Sequence, residues 1–308
     1  MPIDNRSITL AYAALLISPL FFSTNVVFGR AATDIAPFLL AFIRWGVSGL
    51  ILLLLCKNRW PLMWALVKTQ WPTLLLLGFL GMFICGGIVY LALKETTATN
   101  GTLIYTMPPV VIILIERLWR KRPLKWRETI GVTLAAIGVG IIVAKGSFST
   151  LLNLDFNSGD LLFLAAALSW AVYSVVLKSR IFAELGTLPL FALVALFGAV
   201  ILFPFALWEI IKGEDMPNTL HHWSIISGIV VLSSLIAFST FQHGVRILGP
   251  SVAGIFMYLL PAFGLTFAWF FLGEIIQSFH IVGTLAILSG VILATFPVQL
   301  LRNNRPAK

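Results

Sequence analysis

The fold predicted by this sequence is an all-α membrane protein of ten transmembrane helices in two inverted five-helix repeats. Three observations predict it. First, the 308 residues are 59% apolar and 11% charged, against roughly 25% charged in a soluble globular chain. The apolar residues gather in stretches of about 20, enough to span ~30 Å of hydrocarbon. Second, a constant offset of 152 pairs Pro37 with Pro189, Gly46 with Gly198, Trp71 with Trp223, Lys94 with Arg246, Pro109 with Pro261, Gly131 with Gly283 and Gly138 with Gly290. One offset held over this distance marks two copies of one unit. Third, Lys and Arg favour one side of the membrane.

The first span, about 8–29, is too long for a signal-peptide core, and no small-residue cleavage site follows it. It carries Asn25, a buried amide that needs a partner. The second, about 36–56, holds Arg44, the basic residue well inside a span. Intramembrane charge is costly and usually faces the interior. Arg44 is therefore a gate or substrate-carboxylate contact, or else a structural residue that snorkels or pairs with a helix end. After a loop over 57–71, the third span (about 72–93) contains Tyr90 and Gly86-Gly87. Each glycine weakens a helix by about 1 kcal/mol relative to alanine; the pair is a hinge or a notch for close packing. The fourth span (about 98–118) has Tyr105 and Pro108-Pro109, and the ninth (about 251–272) has Tyr258 and Pro261. A proline frees a carbonyl on the preceding turn. Discontinuities at matching places in two halves point to a substrate cavity.

In the fifth and tenth spans, about 128–145 and 279–300, Gly131 with Gly138 and Gly283 with Gly290 each lie two turns apart and read as packing surfaces. A polar linker near 146–159 divides a first unit, 1–146, from a second, 147–308. The sixth span (about 160–178) places Trp170 away from both interfaces, with Tyr173 one turn on. The seventh (about 188–208) is apolar throughout, and the eighth (about 223–243) contributes Ser234 and Ser239. Trp60, Trp64, Trp71, Trp119, Trp126, Trp208 and Trp223 fall near span ends, as an aromatic belt requires.

Sixteen Lys and Arg lie on the side of the N-terminus, six of them between Arg117 and Arg127. Arg30, Lys94, Lys145 and Lys212 lie on the other side, and Arg44 completes the 21. This bias puts both termini in the cytoplasm. Five spans per unit is an odd number, so the second unit starts from the opposite face. Inverted repeats of this kind build alternating-access transporters.

Family features accompany this pattern. The second half has Pro261-Ala262-Phe263, Gly273-Glu274, and Gly283 with Gly290. It opens on Ala167-Leu168-Ser169-Trp170-Ala171-Val172-Tyr173. The first half has Phe22-Ser23-Thr24-Asn25 and Ala41-Phe42-Ile43-Arg44. Over nearly its whole length the chain resembles the drug/metabolite transporter superfamily with two EamA-type repeats, and it is most like the bacterial aromatic amino-acid exporters. The first repeat departs from the pattern, with Lys121-Arg122 where the second has Gly273-Glu274.

The resemblance implies an inner-membrane exporter of small metabolites, foremost amino acids including aromatic ones. Nucleobases, vitamins or organic cations are the alternative substrates, and a proton-coupled antiporter is the alternative mechanism. The expected substrate contacts are Asn25, Tyr90, Tyr105, Trp170, Tyr173, Ser239 and Tyr258, with Trp170, Tyr90 and Tyr258 forming an aromatic wall. Gly86, Gly87, Pro108, Pro109, Pro261 and Arg44 are the expected hinge or gate. Pairing span one with span six aligns Phe22 with Trp170 and Asn25 with Tyr173. All twelve Asp and Glu lie in loops or near span ends, so transport without ion coupling is expected. The net charge of +9 sits in short loops, where topology explains it without nucleic acid. No HExxH, Gly-x-Ser-x-Gly, histidine cluster or phosphate loop is present, so neither an enzyme nor a metal or cofactor is expected. The expected partners are a small-molecule substrate and the bilayer. No feature specifies an oligomeric state.

Overall fold

The computed structural model describes residues 5–96, 104, 107–147, 149, 152, 157–272 and 276–295. Among the described residues all regular structure is helical. Helix α1 covers Asn5–Ala31 and α2 Pro37–Leu55. Helix α3 has three parts: α-helical Trp60–Gly78, π-helical Phe79–Ile88 and α-helical Val89–Glu95. Then come α4 (Met107–Arg120), α5 (Trp126–Val143), α6 (Ser158–Leu177) and α7 (Thr187–Lys212). Helix α8 again has a π-helical middle: Leu220–Gly228, Ile229–Ile236 and Ala237–Leu248. Helix α9 joins Pro250–Phe256 to Leu260–Leu272 through a 3-10 turn, Met257–Leu259, and α10 is Ser278–Thr295. Apart from α4 and α9, these helices are long and apolar enough to cross a membrane, eight in all. The start of the fourth expected span, Tyr105 included, lies outside the described residues.

Local chemistry sets the helix ends. Pro37 and Pro250 sit in the first turns of α2 and α9, where no amide hydrogen is needed. Asn157 and Asp160 form a reciprocal cap on α6. The carboxylate of Glu209, in the last turn of α7, accepts the Phe38 and Leu39 amides at 3.1 and 2.7 Å and so caps α2. Gly249, at φ +96°, turns α8 into α9; a side chain is strained there.

Two expectations change. The 57–71 loop is largely helical: α3 begins at Trp60, and a non-helical Gln70 (φ −126°, ψ 19°) sets this first part apart from the rest. Its amphipathic residues explain the helix. The Trp60 indole donates to the Leu53 carbonyl at 2.8 Å, and the Lys68 ammonium lies 5.5 Å from the Trp64 ring. This is the chemistry of a segment lying at an interface. In α9 the break falls at Met257–Leu259, just before Pro261. A proline ring crowds the carbonyl four residues back, so the irregularity appears upstream of it.

Helix α2 packs along α7, α5 along α10, α1 along α8, and α3 along α6; α4 packs on α6 and α9, and α9 also packs on α1. The α5–α10 contact is backbone on backbone. A Cβ on Gly131 would lie 2.5 Å from the Gly290 carbonyl, and one on Gly138 2.6 Å from that of Gly283. Only glycine permits this approach, and the pairing order makes the two helices antiparallel.

Candidate functional site

Helix α2 carries Arg44 to the middle of the bundle, where the side chain is 2% exposed. It does not snorkel. Its Nε donates to Ser234 Oγ at 2.7 Å, Nη1 to the Tyr90 hydroxyl at 2.8 Å, and Nη2 reaches the Ser233 carbonyl at 3.5 Å. The Tyr90 hydroxyl in turn donates to Asn25 Oδ1 at 3.0 Å. Thr24 Oγ1 lies 3.2 Å from Ser233 Oγ. Arg44 of α2 thus binds α3 and α8 directly, and α1 joins the same cluster through Asn25 and Thr24. The α8 contribution falls in its π-helical segment, where Ser234 Oγ also donates to the Ile229 carbonyl. Such segments recur at functional sites because they displace backbone groups from the regular ladder.

Aromatic rings adjoin this polar layer. The guanidinium carbon sits 4.2 Å from the Trp45 ring centre, within cation–π range. Phe238 lies edge-on to Trp45 at 4.8 Å and to Trp170 at 5.3 Å. Trp170 stacks on Tyr173 at 5.4 Å, tilts against Phe241 at 4.8 Å and meets Phe22 edge-on at 5.8 Å.

Beyond the rings, Gln242 Nε2 donates to the Tyr173 hydroxyl at 2.9 Å. Four buried polar atoms near these rings or on the same helices have no partner among the described residues: Trp45 Nε1, Ser48 Oγ, Ser239 Oγ and Gln242 Oε1.

The expected residues are distributed as follows. Asn25, Tyr90 and Arg44 are joined by hydrogen bonds, and Trp170 and Tyr173 are stacked. Phe22 meets Trp170 edge-on, and Asn25 accepts from Tyr90. Tyr258 is buried in the 3-10 turn of α9, which packs against α1, α5 and α10. Gly86 and Gly87 lie in the π-helical part of α3 and are tightly covered: a Cβ would sit 2.6 Å from Trp45 Nε1 and 2.7 Å from Phe38, respectively. Pro108 and Pro109 are buried in α4, with Pro109 facing Gly254 of α9. Sequence reasoning missed Trp45, Phe238, Phe241 and Gln242. The offset of 152 maps Tyr90 onto Gln242, a signal that was available.

Charged networks tie the ends of the bundle. At the end of the 121–125 loop, Glu116 of α4 accepts from Ser251 of α9, and Arg120 donates to Glu116 at 3.4 Å and to the Val175 carbonyl at 2.8 Å. Lys178, just past α6, donates to the Arg246 carbonyl. Burial, then the neighbouring Arg120 and Arg246 guanidinium groups, holds the Lys178 ammonium below its ordinary value. At the other end, Thr96 donates to Asp160 and His222 Nε2 lies 2.9 Å from Asp34. Among the described residues no group of His, Cys, Asp and Glu is arranged to hold a metal.

The sequence matches the EamA-like transporter family over residues 9–144 and 157–296. Among its relatives is a Bacillus subtilis protein described as uncharacterized transporter YyaM, 24% identical over 85% of both chains. Another from that organism, uncharacterized transporter YetK, is 25% identical over 91% of this chain and 85% of its own. An Archaeoglobus fulgidus protein described as an uncharacterized transporter is 28% identical over 85% of this chain and 89% of its own. A solved crystal structure superposes with a TM-score of 0.77 over 98% of this chain and 100% of its own, at 19% identity, a likeness of fold alone.

Proposed function

The chain belongs to the EamA-like transporter family, and from that premise we propose that it exports small amphipathic carboxylates, foremost aromatic and medium neutral amino acids, through the site at Arg44. One observation carries this reading: a buried guanidinium held by Tyr90 and Ser234 beside a layer of aromatic rings. An arginine fork suits a carboxylate, and the rings suit an apolar side chain. The same positive charge disfavours an organic cation.

Alternating access by two inverted repeats is the proposed mechanism, in a bacterial inner membrane with both termini cytoplasmic. Support comes from the most extensive helix–helix contacts, which map onto one another when the first five helices are exchanged with the last five. The α2–α7, α4–α9 and α5–α10 contacts map onto themselves, α1–α8 maps onto α6–α3, and α4–α6 onto α9–α1. The π-helical segments Phe79–Ile88 and Ile229–Ile236 overlap under the 152 offset.

Transport is proposed to be uncoupled. Among the described residues the buried carboxylates Glu116, Glu128, Asp160 and Glu209 all lie within about a turn of a helix end. A mid-membrane proton carrier would sit deeper.

The test is counterflow in proteoliposomes against unlabelled amino acids, nucleobases and amines, with and without a pH step. Aromatic amino acids are expected to drive counterflow in the wild type and not in Arg44→Gln, and a pH step is expected to drive no accumulation. Counterflow by nucleobases or amines but not amino acids overturns the substrate. Accumulation abolished by a protonophore overturns the uncoupled mechanism.

A further inference from the structure

Helix α8 carries two polar positions on one stripe. Ser234 binds Arg44, Phe238 follows one turn later, and Gln242 one turn after that. Eight residues at 1.5 Å place Gln242 about 12 Å along the axis from Ser234. Gln242 is fully buried. Its Nε2 is engaged by Tyr173 and its Oε1 has no partner among the described residues. A buried acceptor without a donor is costly, so one that persists in a well-packed core calls for an explanation.

The repeat provides one. Gln242 is Tyr90 shifted by 152, and Tyr173 stands to Trp170 as Asn25 stands to Phe22. In the first half a phenol donates to an amide, Tyr90 to Asn25 at 3.0 Å. In the second half the types are exchanged and an amide donates to a phenol, Gln242 to Tyr173 at 2.9 Å. Each half therefore builds an amide–phenol pair at the equivalent place. The first is closed by Arg44, whereas the second keeps an open acceptor. Between the two lie Phe238 and Trp170, 5.3 Å apart and perpendicular.

We propose that Gln242, oriented by Tyr173, is a second contact of the substrate site: it accepts a hydrogen bond from the far end of an aromatic acid whose carboxylate is held at Arg44. This rests on the reading of Arg44 as the carboxylate anchor. The preferred ligand is then an aromatic amino acid with a donor at its tip, a phenol or an indole N–H. The spacing agrees: a carboxylate-to-tip length of about 7 Å plus two hydrogen bonds of about 2.8 Å covers about 12 Å. The rings that now touch one another across this gap would instead face the ring of the substrate.

The experiment measures binding of tyrosine, tryptophan and phenylalanine to the purified full-length protein, wild type against Gln242→Met and Tyr173→Phe. Thermal unfolding provides a folding control: Gln242→Met removes the open acceptor but also takes the partner from the buried Tyr173 hydroxyl, so a modest loss of stability with one cooperative transition is expected. Wild type is expected to bind tyrosine about five- to tenfold more tightly than phenylalanine, the worth of one such hydrogen bond. Gln242→Met is expected to bring that ratio close to one, and Tyr173→Phe to reduce it. If tyrosine and phenylalanine bind wild type equally and Arg44→Gln abolishes both, the Gln242 contact is wrong while the Arg44 anchor stands. If no aromatic amino acid binds, both are wrong.

Discussion

At the scale of single residues, the bundle holds a cation stabilised in its interior. Burying a guanidinium is costly unless its donors find acceptors, and Arg44 places three of its five N–H groups on Ser234, Tyr90 and the Ser233 carbonyl. Tyr90 both accepts from Arg44 and donates to Asn25. Tyr90→Phe is therefore expected to leave a buried Arg44 N–H and the half-buried Asn25 Oδ1 unmet. It should lower stability by about 1–3 kcal/mol, seen in thermal unfolding, and raise the KM for amino acids several-fold. An unchanged KM would make Tyr90 a packing residue.

Lys178 makes a pH prediction. Burial and its arginine neighbours hold its folded value below the ordinary 10.5, so the unfolded chain binds more protons between the two values. Stability then rises with pH through that window. Thermal unfolding is expected to shift upward as the pH rises towards 10.5 in wild type, and less so in Lys178→Met.

Arg44, Asn25 and Tyr90 were legible as intramembrane polar groups, because a membrane interior makes each of them conspicuous. Phe238 and Trp45 were not, since one more aromatic residue in an apolar run carries no signal until neighbours are known. Gln242 was legible only through the repeat.

Among the elements, π-helical segments replace regular helix in the middle of α3 and α8, and neither is visible in composition. Gly86-Gly87 and Ser233-Ser234 were the available hints: small residues where helices approach closely and a hydroxyl that reaches its own backbone. The 57–71 helix was hidden because its tryptophans and lysines suit an interfacial helix as well as a loop. The α5–α10 seam was legible from Gly131, Gly138, Gly283 and Gly290, and it can be tested cleanly. Gly131→Ala would place a Cβ 2.5 Å from the Gly290 carbonyl, whereas Gly140→Ala meets nothing within 4 Å. The first is expected to destabilise by roughly 1–3 kcal/mol. The second should be neutral or stabilise by up to about 1 kcal/mol. Equal effects would mean that the seam tolerates separation.

For the whole molecule, the membrane sets the rules: long apolar helices, charges at the ends, and polar groups inside only where they bind one another or a substrate. The proposed repeat is read from prolines and glycines at one offset, and similar helix contacts recur at the matching places in the two halves. The side-chain pairs at the centre were less legible, because the two halves carry different residue types there, Tyr90 with Asn25 in one and Gln242 with Tyr173 in the other. Orientation is open to a direct check. Single cysteines at Lys121 and Ser147, in a background without Cys56 and Cys85, are expected to label from the cytoplasmic and outer faces, respectively. Labelling of both from one face would remove the inverted arrangement. The central claim is that one site, at Arg44, faces each side of the membrane in turn. Thr24, 3.2 Å from Ser233 at that site, reports on it. A Thr24→Cys variant in the same background is to be labelled with an impermeant thiol reagent from each face, with and without aromatic amino acid. Slow labelling from both faces is expected, with substrate changing the two rates in opposite directions or protecting from both. Labelling from one face only, at a rate indifferent to substrate, would contradict it.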